Sequence, residues 1–313
     1  MTPDLSAISD QISLTPSAYI GIPIALVGAV FLALGAQFQH RGVTKVDGLT
    51  TESSTAGLNL GQLLLLLRRP SWVIGTLMLG LAVVFQLTAL IFAPLIVVQP
   101  LGAIALIITA IVNARVSGAK LKQDAIRPII FCVGGVALFV TFATIFARSK
   151  EITQTELVTV LVLLGVVTVA FVLLFAFLRK KFGALIYIVG AGVLYGFVAT
   201  LAKVVIDRVH TIIINGAQGF EWLTIACVVA LLAATVLGGY FVQTAYSSGP
   251  PDLVIAGLTV IDPIVAVSIG IIVLQEASTA PWFAILAFVV AGALAVYGVV
   301  QLSKRQPEAA ARL

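Results

Sequence analysis

The sequence predicts an all-α integral membrane protein of about nine transmembrane helices, built as two inverted four-helix repeats plus one linking helix. Three observations carry that expectation. The chain is 60% hydrophobic and only 10% charged, the composition of a polytopic membrane protein. Its apolar residues fall in runs near the roughly 20 residues that a helix needs to cross the hydrocarbon. Two of these runs also carry the same polar punctuation, Val97-Val98-Gln99-Pro100 and Val260-Ile261-Asp262-Pro263, 163 residues apart. A proline beside a polar side chain at membrane depth frees backbone groups that only protein or a water-filled cavity can satisfy. Its recurrence in each half points to an internally repeated carrier with its site between the repeats.

In chain order the spans are about 18–40, 71–92, 95–114, 127–147, 156–178, 183–205, 221–245, 251–275 and 281–302. The shorter run 58–67 ends in Arg68-Arg69-Pro70 and reads as an amphipathic interfacial segment. Positive charge sets direction. With the N-terminus outside, 14 of the 18 Lys and Arg residues fall on the inner side, and the C-terminus is cytoplasmic. Spans 1–4 and 6–9 then form units of opposite orientation, and span 5 inverts the second. Pro100 in span 3 corresponds to Pro263 in span 8, and Gln86 in span 2 to Gln243 in span 7. The resulting boundaries are an extracytoplasmic tail over 1–17, a first repeat over 18–147, a linking helix over 148–182, a second repeat over 183–302 and a tail over 303–313.

Several function classes are excluded. The first 17 residues hold no Lys or Arg, unlike the basic start of a signal peptide, so residues 18–40 read as a retained helix. Cys132 and Cys227 both fall inside spans, which argues against a disulfide framework and a zinc site. There is no GxxxxGK[ST] loop to drive transport with ATP, and no HExxH or GxSxG. No cofactor, resident metal, enzyme activity or nucleic-acid partner is expected. The partners are a small-molecule or ion substrate, the lipid bilayer and, as an option, a second copy of the chain.

The segment Gln99-Pro100-Leu101-Gly102-Ala103, followed by the apolar run to Val112, resembles the "TPLGALSVLVSAIL" stretch of the NIPA-like branch of the drug/metabolite transporter superfamily. Pro263 and Glu276, 13 residues apart, are similar to the proline-to-"GE" spacing of EamA-type members. Gly196 and Lys203 resemble a glycine-then-lysine pattern at the same place in NIPA proteins. The likeness covers about residues 20–302. Where the NIPA pattern has "NERL", this chain reads Gly118-Ala119-Lys120-Leu121, and Asp262 is not part of that pattern. The resemblance implies a helical carrier fold, with magnesium transport as the activity of eukaryotic members.

Asp262 is the only acidic residue these spans place deep in the membrane. A charge there costs roughly 2.5–3.5 kcal/mol on insertion scales, so it should face protein or water. It reads as a proton or cation site, against the alternative of a carboxyl that caps groups freed by Pro263. Thr259 lies one turn earlier on the same face. Gln99 is the repeat counterpart of Asp262, and its amide can donate and accept. Gln86, Gln243, Thr244 and Tyr246 add polar groups to apolar helices, where interhelical hydrogen bonding competes with a lining role. Gln37, Gln39 and His40 close span 1, with solvation at the interface favoured for His40. Lys203 at the end of span 6 either snorkels to headgroups or attracts an anionic group, and Glu276 reads as a solvated helix end. Gly192 and Gly196 form a GxxxG, and Gly28 and Gly35 line span 1, as close helix approach requires.

The expected function is secondary transport of a small solute by alternating access. Its site would lie between spans 1, 3, 6 and 8, with Asp262, Gln99 and Gln243 lining one cavity and the helices breaking at Pro100 and Pro263. The alternatives are a magnesium transporter, a flippase for lipids or lipid-linked intermediates, and a non-transporting membrane subunit.

Overall fold

A computed structural model describes residues 18–47, 68–116, 123–148, 152–182, 184–215, 222–248 and 251–303. The amphipathic segment 58–67 and the two tails lie outside these residues. Among the described residues there are ten helices and no strand: α1 (Ala18–Asp47), α2 (Pro70–Phe92), α3 (Leu95–Leu101), α4 (Ile104–Val116), α5 (Gln123–Phe146), α6 (Gln154–Phe182), α7 (Ala184–Asn215), α8 (Trp222–Ser248), α9 (Pro251–Ile272) and α10 (Trp282–Ser303). Among the described residues eight stretches are long and apolar enough to cross a membrane, with α3 and α4 together making one of them, Leu95–Val112. Helix α9 is apolar over the shorter stretch Gly257–Ile272 and packs along α7. The chain is an all-α integral membrane protein.

Local chemistry sets several boundaries. Pro70 opens α2, where its missing N–H costs nothing and its fixed φ suits a first turn. Thr153 and Glu156 form a reciprocal cap at the start of α6: the Thr153 amide donates to Glu156 Oε2 at 2.8 Å, and the Glu156 amide donates back to Thr153 Oγ1 at 3.4 Å. Trp222 and Trp282, each more than 70% exposed, stand at the first residues of α8 and α10, where membrane-interface aromatics sit.

The outer faces are apolar and uncovered. Val162, Val166, Val169 and Val172 of α6 are each about 60% exposed, as are Val229 and Leu232 of α8. A chain in water would hide that surface, whereas hydrocarbon accepts it. The most deeply buried segment is short: Leu95, Ile96, Val97 and Val98 of α3 are all fully buried. Around α3 lie α1, α2, α5, α7 and α9. The main pairings are α1 with α2, α5 with α10, and α7 with both α8 and α9. Small residues allow the closest of these. A Cβ on Gly192 or Gly196 would come within 2.7 Å of Ile261 or Val265, so the expected GxxxG is the contact face between α7 and α9.

Three helix boundaries depart from expectation. The expected break at Pro263 is absent, because α9 runs unbroken from Pro251 to Ile272 with the proline inside it. One missing N–H leaves the Thr259 carbonyl without its usual partner, and the packed helix tolerates that single loss. The first half is interrupted on both sides of α3. Ala93-Pro94 separates α2 from α3 where the expected spans 71–92 and 95–114 also part, whereas Pro100 stays inside α3 and the expected break there falls at the turn Gly102-Ala103, where the Gly102 amide bonds the Gln99 carbonyl at 3.2 Å. In addition, α7 continues to Asn215, ten residues past the expected end of span 6.

Candidate functional site

Pro94 has no N–H, so the Leu90 carbonyl at the end of α2 lacks its helical donor. Lys203 supplies one, its Nζ donating to Leu90 O at 2.7 Å. The same ammonium meets Asp207 Oδ1 at 3.1 Å, one turn along α7. Lys203 is only 2% exposed. The expectation that it sits at a helix end and snorkels is therefore corrected: with α7 extended to Asn215, residue 203 lies inside the bundle. Asp207 is a second acidic residue within an apolar helix, which the shorter reading of span 6 placed outside.

On the far side of the same break, α3 begins with amides that have no intrahelical acceptor. Glu276 accepts two of them, Leu95 N–H at Oε1 and Ile96 N–H at Oε2, each at 2.9 Å. It is 3% exposed, so the expectation of a solvated end is also corrected. The turn after α9 explains why. Gln275 has φ of 57°, in the left-handed region, and this returns the Glu276 amide to the Gly270 carbonyl at 3.0 Å. Gly270 makes room, since a Cβ there would lie 3.0 Å from Glu276 Oε2. The Glu276 carbonyl in turn accepts the Arg148 amide at 2.7 Å. Burial pushes the Glu276 carboxyl above the ordinary glutamate range, while the Ile96 and Leu95 amides and the Lys203 ammonium pull it down.

Asp262 projects from the middle of α9. As a residue it is partly exposed, yet its Oδ1 is fully buried and has no hydrogen-bond partner. Its backbone lies where Gly192 of α7 packs. The Tyr195 ring lies against Gly238 of α8.

A cavity of about 90 Å³ lies between α9 and the elements α3, α5 and α10. Pro100, Ala103, Val136, Thr259, Pro263 and Val299 are among its lining residues, drawn from α3, α5, α9, α10 and the turn after α3. Both prolines of the repeated pattern thus meet at one cavity, as does Thr259, whose hydroxyl donates to the Ile255 carbonyl at 2.8 Å. This cavity is not the expected polar hollow. Neither Asp262 nor Gln99 lines the cavity, and its walls are almost wholly apolar. Gln99 is buried at 6% exposure on α3. The side chains of Gln243, Tyr246 and His40 lie outside the described residues. Gln86 is half-buried on α2 where Gly28 of α1 packs, and Gln39 Nε2 donates to Thr76 Oγ1 at 2.9 Å, tying α1 to α2. The Thr244 hydroxyl donates to the Tyr240 carbonyl. Among the described residues no group of three or more His, Cys, Asp or Glu gathers as a metal cluster.

Sequence reasoning ranked Asp262 above Lys203 and Glu276, yet the densest buried charge is at Pro94. A signal for it exists in Ala93-Pro94, since a proline four residues after Leu90 orphans that carbonyl. What could not be read was which distant charges fill the gap.

A multispanning helical bundle with buried ionisable groups and a helix interrupted at its core is the build of a membrane carrier. Residues 17–306 match the family model described as magnesium transporter NIPA, and the chain belongs to this family. It is 28% identical over 264 residues to an uncharacterised protein of Corynebacterium glutamicum, covering 83% of this chain and 86% of that one. It is 22% identical to the probable magnesium transporter NIPA1 of Arabidopsis thaliana, over 68% of this chain and 63% of that protein. It is 25% identical to the magnesium transporter NIPA4 of Mus musculus, over 59% and 46% respectively. The matches thus span less than two thirds of these two named transporters. No solved structure matches the chain. The family is one of transporters, not of enzymes.

Proposed function

We propose that the chain is a secondary transporter working by alternating access, and that its solute is a hard divalent cation, with magnesium first. The observation that carries this is Asp262: a carboxylate oxygen buried without a partner, one residue from a proline that leaves the Thr259 carbonyl without its helical donor. Magnesium prefers oxygen ligands, keeps much of its water and is commonly held by only one or two carboxylates. One carboxylate, a freed carbonyl and retained water meet that requirement without a metal cage. The description of the family points the same way.

Two inverted units, 18–147 and 183–302, joined by 148–182, provide the moving parts. Support comes from the packing, in which relations of the first half recur in the second. The α1–α2 pair answers α7–α8, the contact of α1 with α3 and α4 answers that of α7 with α9, and α3–α5 answers α9–α10. Repeat partners also meet across the halves, α3 with α9 and α5 with α10. The charge distribution favours an outer N-terminus and a cytoplasmic C-terminus in the cell membrane.

The test is magnesium influx into proteoliposomes carrying an internal magnesium-sensitive dye. Asp262→Asn should reduce influx to the rate of empty vesicles while insertion and monodispersity are kept. Wild-type influx by that variant removes Asp262 from the mechanism. Absent magnesium flux with the wild-type protein rejects the cation. A second reading, a small organic solute, is favoured by the apolar cavity wall, and metabolite comparison between deleted and overproducing cells distinguishes it.

A further inference from the structure

We propose that Lys203 and Glu276 are positioning residues that together form a latch, holding the Pro94 end of the bundle closed and setting the pose of the segment that carries Gln99 and Pro100. The proposal rests on the alternating-access reading. Both residues come from the second half, and both bind the same break in the first half. Lys203 takes the Leu90 carbonyl, which Pro94 leaves without its helical donor at the end of α2, and Glu276 takes the first two free amides of α3. Only Ala93 and Pro94 separate α2 from α3. The latch therefore fixes the two ends of the break at once, one by a cation and one by an anion.

Two features argue against ordinary packing. Burying two charges is expensive, and apolar residues of similar volume commonly stabilise a fold as well or better, so retained buried charge suits a specific or switchable contact. The local backbone is also shaped around Glu276. Left-handed Gln275 turns the chain back, and Gly270 leaves the carboxylate the space it occupies. The Arg148 amide, bonded to the Glu276 carbonyl, ties the start of the linking segment to the same turn. Opening this end requires breaking the Leu95 and Ile96 bonds and the Leu90 bond, all of which join the halves. In the present structure every one of them is made.

The latch predicts that α3 becomes reachable when these bonds weaken. Leu95 is fully buried at the break, so Leu95→Cys, in a background with Cys132→Ala and Cys227→Ala, reports opening by its maleimide labelling rate in nanodiscs. Nanodiscs expose both membrane faces, so the readout needs no orientation, gradient or solute and stands apart from the flux test. Glu276→Gln keeps the shape but weakens the bonds. Gly270→Ala keeps every charge and crowds the carboxylate, and it decides the matter where Glu276→Gln does not purify. Each should raise labelling roughly tenfold or more, the effect of weakening a charge-assisted hydrogen bond. Leu157→Cys, at a fully buried site on α6, should label at an unchanged rate. Unchanged labelling at the Leu95 position, or an equal rise at the Leu157 position, would overturn the latch.

Discussion

Replacing Lys203 with methionine keeps the length of the side chain and removes its charge. The Leu90 carbonyl then has no donor, because Pro94 cannot provide one, and Asp207 loses its cation. Losing a hydrogen bond from a charged donor costs about 1.5–3 kcal/mol. Removing one member of a buried pair costs about 3–5 kcal/mol, but the Asp207 side chain keeps 20% of its surface in contact with solvent, which lowers that figure. Relief of the buried ammonium offsets part of the remainder. The expected net loss is about 3 kcal/mol. At about 2 °C per kcal/mol for a chain of this size, Tm falls by about 6 °C. The assay is thermal unfolding of purified protein in detergent. The double variant Lys203→Met/Asp207→Asn should recover at least about 1 kcal/mol, since residue 207 is then no longer a carboxylate that has lost its cation. A single variant that melts within about 1 °C of wild type, or a double variant less stable than the single, refutes the reasoning.

Two further outcomes follow from the same geometry, beside those for Asp262 and the latch. Gly196→Leu drives a side chain into Val265 and should destabilise the protein by about 1–3 kcal/mol, read as a lower Tm in the same assay. Pro263→Ala returns an N–H to the Thr259 carbonyl. If that carbonyl serves the cation, half-saturation for magnesium rises about tenfold with folding unimpaired, the loss of roughly 1.4 kcal/mol of binding. An unchanged half-saturation removes the carbonyl from the site.

How far the site was legible depended on the range of the physics involved. Asp262 and Pro263 could be singled out because a charge and a missing N–H in an apolar run are costly wherever the run goes. The meeting of Pro100, Pro263 and Thr259 at one cavity followed the repeat spacing. Lys203 and Glu276 were misplaced because the end of α7 and the turn after α9 are not marked by local composition. The stretch from Val204 to Asn215 carries Asp207, Arg208 and His210, which reads as a span ending, yet tertiary packing keeps it helical. The left-handed conformation at Gln275 carries no glycine to announce it.

By itself the sequence determined the membrane environment, the all-helical architecture, the approximate spans and the small-residue face of α7 at Gly192 and Gly196. Each of these follows from the solvent that a run of residues requires and from spacing along one helix. Tertiary structure alone decided that the seven-residue helix α3 lies at the centre and that the break before it is capped by charges more than a hundred residues away, Glu276 on the first amides of α3 and Lys203 on the Leu90 carbonyl of α2. A break in one helix exposes unpaired backbone at a known place, but the group that satisfies it is chosen by packing between helices, which no local pattern encodes.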